Sequence, residues 1–342
     1  MDGAGVPAQT LDNLRKAFAK ALGKSGPTAL EPIESEFLEL ALEDYVADET
    51  PELKPEDFAV LLADFWRFGE TRDPRAGPTI RIRQAKGAGG KPLNYDVLEI
   101  VQDDAPFLVD SVMGELGEQG VSVRAMFHPL LCIDRSPKGK RVPDTDKVRE
   151  STIMVITDPT SEDRRAAIVQ GLKDTLAGVR EAVRDWGGMA AMMNQAVAGL
   201  EKNAGGADPA LVKEAVAFLR WLEDGRFVFL GARDYDYPRD KAGKSAMPEP
   251  RASLGVLSDP QRSILRQTSQ AAVLTPQIQR QIDLAEPVTV AKANIRSRVH
   301  PAPTWTTSAS SASGPTAGRW ARCASSAFSP PRPTTRQPRR CR

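Results

Sequence analysis

Three aspartates, Asp103, Asp104 and Asp110, lie close together where the sequence changes from a strand pattern to a helix pattern. Carboxylates at this spacing are able to bind a metal ion or to serve as acid and base. Helix capping explains them more simply, because an Asp ahead of a helix accepts bonds from the first free backbone N–H groups. We therefore predict that Asp104 is the N-cap, that Pro106 stands at the helix start, and that no residue of the group is catalytic.

Histidine chemistry has few candidates, since the chain contains two histidines. His128 has no Cys or second His at metal-ligand spacing, and we interpret it as a strand-end residue packed against Pro129. The sequence therefore predicts no metal site. The cysteines also indicate no metal site and no disulfide framework; they are Cys132, Cys323 and Cys341.

The segment Gly87 to Lys91 (GAGGK) has the composition of a phosphate-binding loop. A P-loop, however, needs Gly-x-x-x-x-Gly-Lys-Ser/Thr ahead of a helix, and Pro92 stands where the hydroxyl residue is required. We predict a plain turn between two strands. Because no Gly-x-Gly-x-x-Gly follows a strand pattern, the sequence predicts no cofactor-binding residue in this chain.

A repeated pattern of strand and helix must position these residues. Tyr95 to Val101 is an apolar, β-branched strand pattern, and a helix pattern follows from Phe107. Val121 to Phe127 alternates as a half-buried strand does, and a further strand and helix begin near Thr152 and Ser161. The order strand, helix, strand, strand, helix predicts an α+β fold of the ferredoxin-like type.

Helical patterns flank this module on both sides. Those at Thr10 to Leu22, Glu31 to Tyr45 and Pro55 to Phe68 predict an N-terminal helical cap. We divide the chain into an N-terminal helical segment (1–75), a first α+β module (76–186), a helical connector (187–224), the incomplete start of a second module (225–300) and a disordered basic tail (301–342).

Two classes of partner are not expected from the composition. The first 300 residues carry a net charge of −6, and the signs are interspersed, so no clustered basic face for nucleic acid is predicted. The first twenty residues lack the apolar core of a signal peptide, and no apolar run approaches membrane-spanning length. We expect a soluble, cytoplasmic protein with no membrane partner.

Three segments carry a family resemblance. DDAPFLVDSV (103–112), followed by VRAMFHP (123–129), resembles the N-terminal region of the large NAD-dependent glutamate dehydrogenases of bacteria. The segments 218–237 (FLRWLEDGRFVFLGARDYDY) and 290–301 (VAKANIRSRVHP) resemble further stretches of that family in the same order. The resemblance implies ACT-like modules with an N-terminal helical cap and a helical connector, placed ahead of a distant catalytic domain.

The resemblance also implies a role. It points to a regulatory and assembly region of a homo-oligomeric enzyme that converts L-glutamate, NAD and water to 2-oxoglutarate, ammonium and NADH. We expect this chain to lack the catalytic domain, to be inactive alone and to bind no NAD itself. The alternative is a stand-alone ACT-like module that senses an amino acid without enzymatic activity.

ACT modules commonly bind amino acids beside an Asp-x-Pro-Gly turn between a strand and a helix. Asp104 and Pro106 match that turn, whereas Phe107 replaces the glycine. Asp104, Pro106 and Phe107 are therefore a candidate effector-binding turn. The bulky Phe107 side chain would obstruct a ligand, so a purely structural role is an equal alternative.

The tail has two interpretations. Residues 301–342 contain seven Arg, no other charged residue and no Leu, Ile or Val, which is typical of a disordered basic linker. Back-translation of Pro303 to Ser313 with GC-rich codons, read two nucleotides further on, permits a peptide that resembles the continuation of the dehydrogenase family. The second interpretation is therefore a frameshift near residue 300, after which the arginines have no function.

Overall fold

The computed structural model describes residues 8–43, 53–143, 149–202, 207–236, 249–259, 287–292, 297–300, 306–313 and 319–326. The chain divides into two compact units, one built mainly from residues up to Leu176 and the other from Ala177–Thr335. None of the helices that the structure describes is long and apolar enough to cross a membrane.

The first unit contains a six-stranded antiparallel sheet and two helices, one between two of the strands and one after the last strand. The strands are β1 (Thr79–Lys86), β2 (Pro92–Asp103), β3 (Val123–Phe127), β4 (Leu130–Arg135), β5 (Arg141–Pro143) and β6 (Arg149–Thr157). Helix α4 (Leu108–Glu118) joins β2 to β3, and α5 (Glu162–Arg184) follows β6. This order confirms the predicted α+β, ferredoxin-like fold.

The strand order along the sheet is β1, β2, β6, β4, β5, and β3 also pairs with β6. In the ferredoxin-like arrangement a last strand follows the second helix. Here β1, which precedes the other strands in the chain, pairs antiparallel with the outer edge of β2 instead. Among the described residues, no strand after α5 joins this sheet, and β1 occupies the edge where such a strand would pair.

Three helices precede the sheet and pack on one of its faces, which we call the cap face. They are α1 (Ala8–Ala21), α2 (Pro32–Glu43) and α3 (Pro55–Phe68). One core joins them to the sheet, and it contains Phe18, Phe37 and Phe65 from the helices together with Val97 and Met154 from the strands. The predicted boundary at residue 75 is therefore not a break in packing, because the cap and the sheet share this core.

The opposite face, which we call the helix face, carries the alternate residues of each strand. Leu98 and Ile100 of β2 are fully buried there. Arg165 of α5 binds Asp96 of β2 through two bonds of 2.8 and 2.9 Å. The sheet is thus covered on both sides.

The second unit combines two helices with a five-stranded sheet. The helices are α6 (Trp186–Lys202) and α7 (Pro209–Trp221), followed by a π-helical turn (Leu222–Arg226). The strands are β7 (Gly231–Asp236), β8 (Glu249–Gly255), β9 (Val288–Lys292), β10 (Thr306–Ser313) and β11 (Arg319–Ser326), in the order β8, β7, β11, β10, β9. The predicted connector 187–224 is part of this unit, since Met189 and Leu219 share a core with Phe229.

Two expectations differ from the structure. Strands β10 and β11 lie within 301–342, the predicted disordered tail, and they extend the second sheet that we expected to be incomplete. Pairing of backbone groups accounts for this, because a strand ladder requires no Leu, Ile or Val. Cys132 is disulfide-bonded, although the cysteine spacing indicated no disulfide. The other residues of the tail lie outside the described part of the chain.

Candidate functional site at the strand-to-helix turn

The turn at residues 104–107 joins the end of β2 to the start of α4. The N-cap of α4 is Phe107, and no side chain caps the helix there, so the prediction of Asp104 as the N-cap was wrong. The Asp104 backbone N–H instead donates to the Arg149 carbonyl at 2.9 Å, which continues the β2–β6 pairing by one residue. Pro106 accordingly lies in the turn and not in the helix.

Phe107 adopts a left-handed backbone conformation, with φ 70° and ψ 5°. Glycine adopts this conformation without cost, whereas a residue with a Cβ loses about 1–2 kcal/mol. The turn therefore keeps the backbone shape of Asp-x-Pro-Gly while carrying a half-buried phenyl ring at the glycine position. This strain and the ring are the features that distinguish the turn from an ordinary helix start.

Four polar side chains surround this turn on the helix face, and we call them the polar cluster: Gln102, Asp104, His128 and Ser151. Gln102 and Ser151 are direct partners across β2 and β6. His128 Nε2 lies 2.7 Å from Ser151 Oγ. Neighbouring positions on paired strands place their side chains within contact distance, so the register of two distant strands builds the cluster.

The Gln102 side chain is the unusual member of the polar cluster. It is 7% exposed, and its Nε2 is buried without a hydrogen-bond partner. A buried donor without a partner costs about 1–3 kcal/mol. An acceptor supplied by a ligand would remove that cost, so Gln102 Nε2 is a ready donor to a carboxylate or carbonyl oxygen.

Burial and the neighbouring positive charges shift the pKa of Asp104 in opposite directions. Desolvation raises the pKa of the Asp104 carboxyl, and the nearby His128 and Arg149 partly oppose this. The carboxylate is therefore less stable in the folded protein than in water. A cationic group of a ligand would stabilise it.

Sequence reasoning found Asp104, Pro106 and Phe107 but missed Gln102, His128 and Ser151 as their neighbours. His128 does stand at the end of β3, as predicted. Its bond to Ser151, however, depends on a strand that begins more than twenty residues later. Local patterns hold no signal for that pairing.

The ends of the same two strands carry a second group on the cap face, which we call the arginine junction: Arg72, Asp103, Arg135 and Glu150. Arg72 donates from Nε to Glu150 at 2.9 Å and from its terminal nitrogen to Asp103. Arg135 donates to both carboxylate oxygens of Glu150. The Glu150 and Arg72 side chains are each 1% exposed, so the junction is a buried ionic group.

The arginine junction also holds the end of α3. Arg135 donates to the carbonyls of Gly69 and Glu70 at 2.9 and 3.0 Å. Beside it, Arg141 stacks over the Trp66 ring at 3.5 Å and donates to the Trp66 carbonyl. Burial, together with Arg135, lowers the pKa of Arg141 to about 10, so Arg141 stays charged at neutral pH. The cap is thereby fastened to the sheet at one end.

The Gly-rich segment is a plain turn, as predicted. It joins β1 to the antiparallel β2. Asp57 Oδ1 accepts the Ala88 backbone N–H at 2.8 Å, and a Cβ added to Gly87 would lie 2.2 Å from that oxygen. A carboxylate therefore already occupies the position that a phosphate would need.

Two other features of the molecule are weaker candidates. In the described residues, no three His, Cys, Asp or Glu side chains converge to hold a metal ion. A shallow groove of about 560 Å³ lies between α6 and α7 in the second unit. Two pairs of side chains occupy it, since Arg220 binds Glu201 and Asn194 donates to Glu223. The polar cluster remains the best candidate site.

Comparison with known proteins concerns the domain in which the polar cluster lies. Residues 37–172 match the model of the glutamate dehydrogenase ACT1 domain. The match covers the second half of α2, all of α3 and the whole first sheet, together with the polar cluster and the arginine junction.

Three relatives are NAD-specific glutamate dehydrogenases. The protein of Halomonas elongata is 31% identical over 201 residues, which is 56% of this chain and 12% of that protein. The protein of Pseudomonas aeruginosa is 26% identical over 74% of this chain and 16% of its own length. The protein of Mycobacterium tuberculosis is 28% identical over 50% of this chain and 11% of its own length.

This chain thus spans only a small part of the length of each relative. The matched domain lies on the α+β unit that the structure shows, and all three relatives carry the same name. Together they support the assignment of this chain as similar to an N-terminal region of the large NAD-specific glutamate dehydrogenases.

Proposed function

We propose that this chain is a cytoplasmic regulatory and assembly region of a homo-oligomeric NAD-dependent glutamate dehydrogenase. The observation that carries the proposal is the ACT1 match over residues 37–172, which spans the whole six-stranded, doubly covered sheet. The parent reaction converts L-glutamate, NAD and water to 2-oxoglutarate, ammonium and NADH. The role of this chain is to influence that reaction from outside the catalytic centre.

We propose that NAD is bound outside the residues that the structure describes. The Gly-rich turn joins two antiparallel strands, and Asp57 would repel a pyrophosphate there. A dinucleotide site needs instead a glycine-rich turn that opens a helix. We therefore assign no step of hydride transfer to residues of this chain.

An activity assay tests the first proposal. The purified chain is mixed with NAD and L-glutamate, and NADH formation is followed by absorbance, first alone and then with a parent dehydrogenase lacking the corresponding region. We expect no turnover alone and a changed rate or oligomer size on mixing. Turnover by the chain alone would contradict the proposal, and so would a mixture that behaves as its separate parts do.

The frameshift interpretation has its own test. Resequencing the gene across the codons for His300 to Cys341 is expected to reveal a missing nucleotide and a restored frame that continues into a dehydrogenase catalytic domain. A genuine stop with no such frame behind it would instead favour the stand-alone module.

The polar cluster favours a second function, which is amino-acid sensing. An amino acid offers a carboxylate for the free N–H of Gln102 and an ammonium group for the half-buried Asp104. We expect Phe107, which lies in the same turn, to limit access to the two groups. The chemistry of the site thus matches the two charged groups of a free amino acid.

Titration calorimetry with each of the twenty L-amino acids tests this function. We expect the affinity to fall about tenfold in Gln102→Leu, since a bond to a charged group is lost. Gln84→Leu on β1 removes an exposed amide and serves as the matched control. Phe107→Gly should increase the affinity by clearing the turn. If neither the natural chain nor Phe107→Gly binds any amino acid, the sensing function is rejected.

A further inference from the structure

The polar cluster and the arginine junction lie on opposite faces of the sheet but use consecutive residues. On β2 and just beyond it, Gln102 and Asp104 belong to the polar cluster, and Asp103 between them belongs to the arginine junction. On β6, Ser151 belongs to the polar cluster and Glu150 to the junction. Alternation along a strand sends neighbouring side chains to opposite faces, so the two groups share the same short piece of backbone.

This shared piece is also the last part of the β2–β6 ladder. Gln102 pairs with Ser151 and Asp103 pairs with Glu150. One more backbone bond, from Asp104 N–H to the Arg149 carbonyl at 2.9 Å, follows before the turn begins. Strand ends open more readily than strand centres, because their hydrogen bonds have fewer neighbours.

The arginine junction connects this strand end to the cap. Arg72 binds the two strands at once, through Glu150 and Asp103. Arg135 binds Glu150 on one side and the carbonyls of Gly69 and Glu70 on the other. A displacement of Glu150 therefore changes the contacts that hold the end of α3.

We propose that Glu150 is a positioning residue that couples the state of the polar cluster to the seating of the helical cap on the sheet. Occupation of the polar cluster fixes the ends of β2 and β6, which fixes Glu150 between its two arginines and fastens α3. An empty or disturbed cluster loosens the same strand ends and with them the last turn of α3. The regulatory meaning of this coupling rests on the proposed function, whereas the coupling itself does not.

A double-mutant cycle read by hydrogen exchange tests the coupling in the full chain without any ligand. Ser151→Ala removes one hydroxyl from the polar cluster and leaves the junction untouched. We expect it to speed exchange of the Gly69 and Glu70 amides about threefold or more. In a Glu150→Gln background the same change should have no further effect on those amides.

Two further variants keep the test decisive. Asp103→Asn is the milder break of the junction if Glu150→Gln does not fold, because the Asp103 side chain is 58% exposed. Thr175→Val is the matched control: it removes a buried hydroxyl that bonds Glu115 at 2.7 Å, away from the junction, and should leave the Gly69 and Glu70 amides unchanged.

A second measurement separates positioning from plain structural support. Arg72→Lys keeps the charge but cannot hold Glu150 and Asp103 with one planar fork. We expect it to shift the titration midpoint of the His128 imidazole, followed by NMR. Equal acceleration by Ser151→Ala with and without the junction, or an unmoved His128 midpoint in Arg72→Lys, would overturn the coupling. Neither result depends on amino-acid binding or on dehydrogenase activity, so failure here is distinct from failure of the proposed function.

Discussion

The two faces of the first sheet are stabilised by different kinds of side-chain contact. The cap face is closed by aromatic side chains, with Phe37 in ring contact with Phe18, Phe65 and Trp66. Its buried carboxylates are paired, Glu150 within the arginine junction and Glu99 with Arg81 and Arg83, although Arg141 Nε is buried there without a hydrogen-bond partner. The helix face is aliphatic at its centre, but it holds the strained Phe107 and the unpaired amide of Gln102 at one end.

This difference indicates that the two faces have different roles. Strain and unsatisfied polar groups persist in a fold only where the surroundings enforce them, and they concentrate at binding sites. The cap face has the features of a structural core, and the helix face has those of a responsive surface. If that is right, substitutions on the cap face should cost stability, whereas those near the turn should cost little or even stabilise.

The largest effect should follow the loss of an aromatic ring from the cap face. Phe37→Ala leaves a cavity among three aromatic neighbours, and we expect the free energy of unfolding of the first unit to fall by about 3–5 kcal/mol. Urea unfolding read by exchange of β2 amides measures it. Val142→Ala on β5, where the side chain is 41% exposed, is the control and should change little. A small loss in Phe37→Ala would mean that the cap is only loosely seated.

On the helix face, a glycine-to-alanine substitution should destabilise the protein at one position and stabilise it at another. In Gly171→Ala the new Cβ would lie 2.2 Å from Glu115 Oε1, so the Glu115 and Gln119 side chains must move and their hydrogen bond is disturbed, at a cost of about 1–3 kcal/mol. In Gly117→Ala on the exposed side of α4 the Cβ meets nothing within 4 Å, and the gain in helix propensity should stabilise by about 0.5–1 kcal/mol. Thermal unfolding of both variants gives the comparison. Equal effects would show that the helices do not pack as described.

The strained turn gives a smaller effect. Phe107→Gly and Phe107→Ala both remove the ring, but only glycine relieves the left-handed backbone. We expect the glycine variant to be more stable than the alanine variant by about 1 kcal/mol in urea unfolding. An alanine variant of equal or greater stability would show that the turn does not need this conformation.

The smallest effect should appear in the pH dependence of Asp104→Asn. Burial raises the pKa of Asp104, so ionisation of this carboxyl costs more in the folded than in the unfolded chain. Below pH 3.8 the carboxyl is protonated in both states and the wild-type chain is not destabilised, whereas the loss of stability develops as the pH rises through the raised pKa. The asparagine variant should therefore gain stability relative to wild type between pH 3 and pH 7.

Asp158→Asn is the control of opposite sign. Its bond to Arg124 lowers the pKa of Asp158, so the wild-type advantage is present above pH 3.8 and is lost as the pH falls through the lowered value. Urea unfolding at several pH values checks both variants. If the unfolding free energies of the two variants, relative to wild type, change with pH in the same direction, Asp104 and Asp158 do not differ in the way described.

Elements with strong local signals could be predicted from the sequence, and contacts between distant strands could not. Helix α3 begins and ends as predicted, because Pro55 fixes its first turn and apolar spacing runs to Phe68. The start of α4 was misplaced, since the chain needs a turn after β2 that Asp104 alone does not reveal. The polar cluster depends on the register Gln102 to Ser151, which only the folded sheet defines.

The place of β1 in the sheet has a consequence for synthesis on the ribosome. Domains fold as units while the chain emerges from its N-terminal end. Since the edge strand beside β2 is made before the other strands, the sheet can close as soon as β6 and α5 have left the exit tunnel. The first sheet needs no strand that follows α5, so it can form while the remainder of the chain is still being translated.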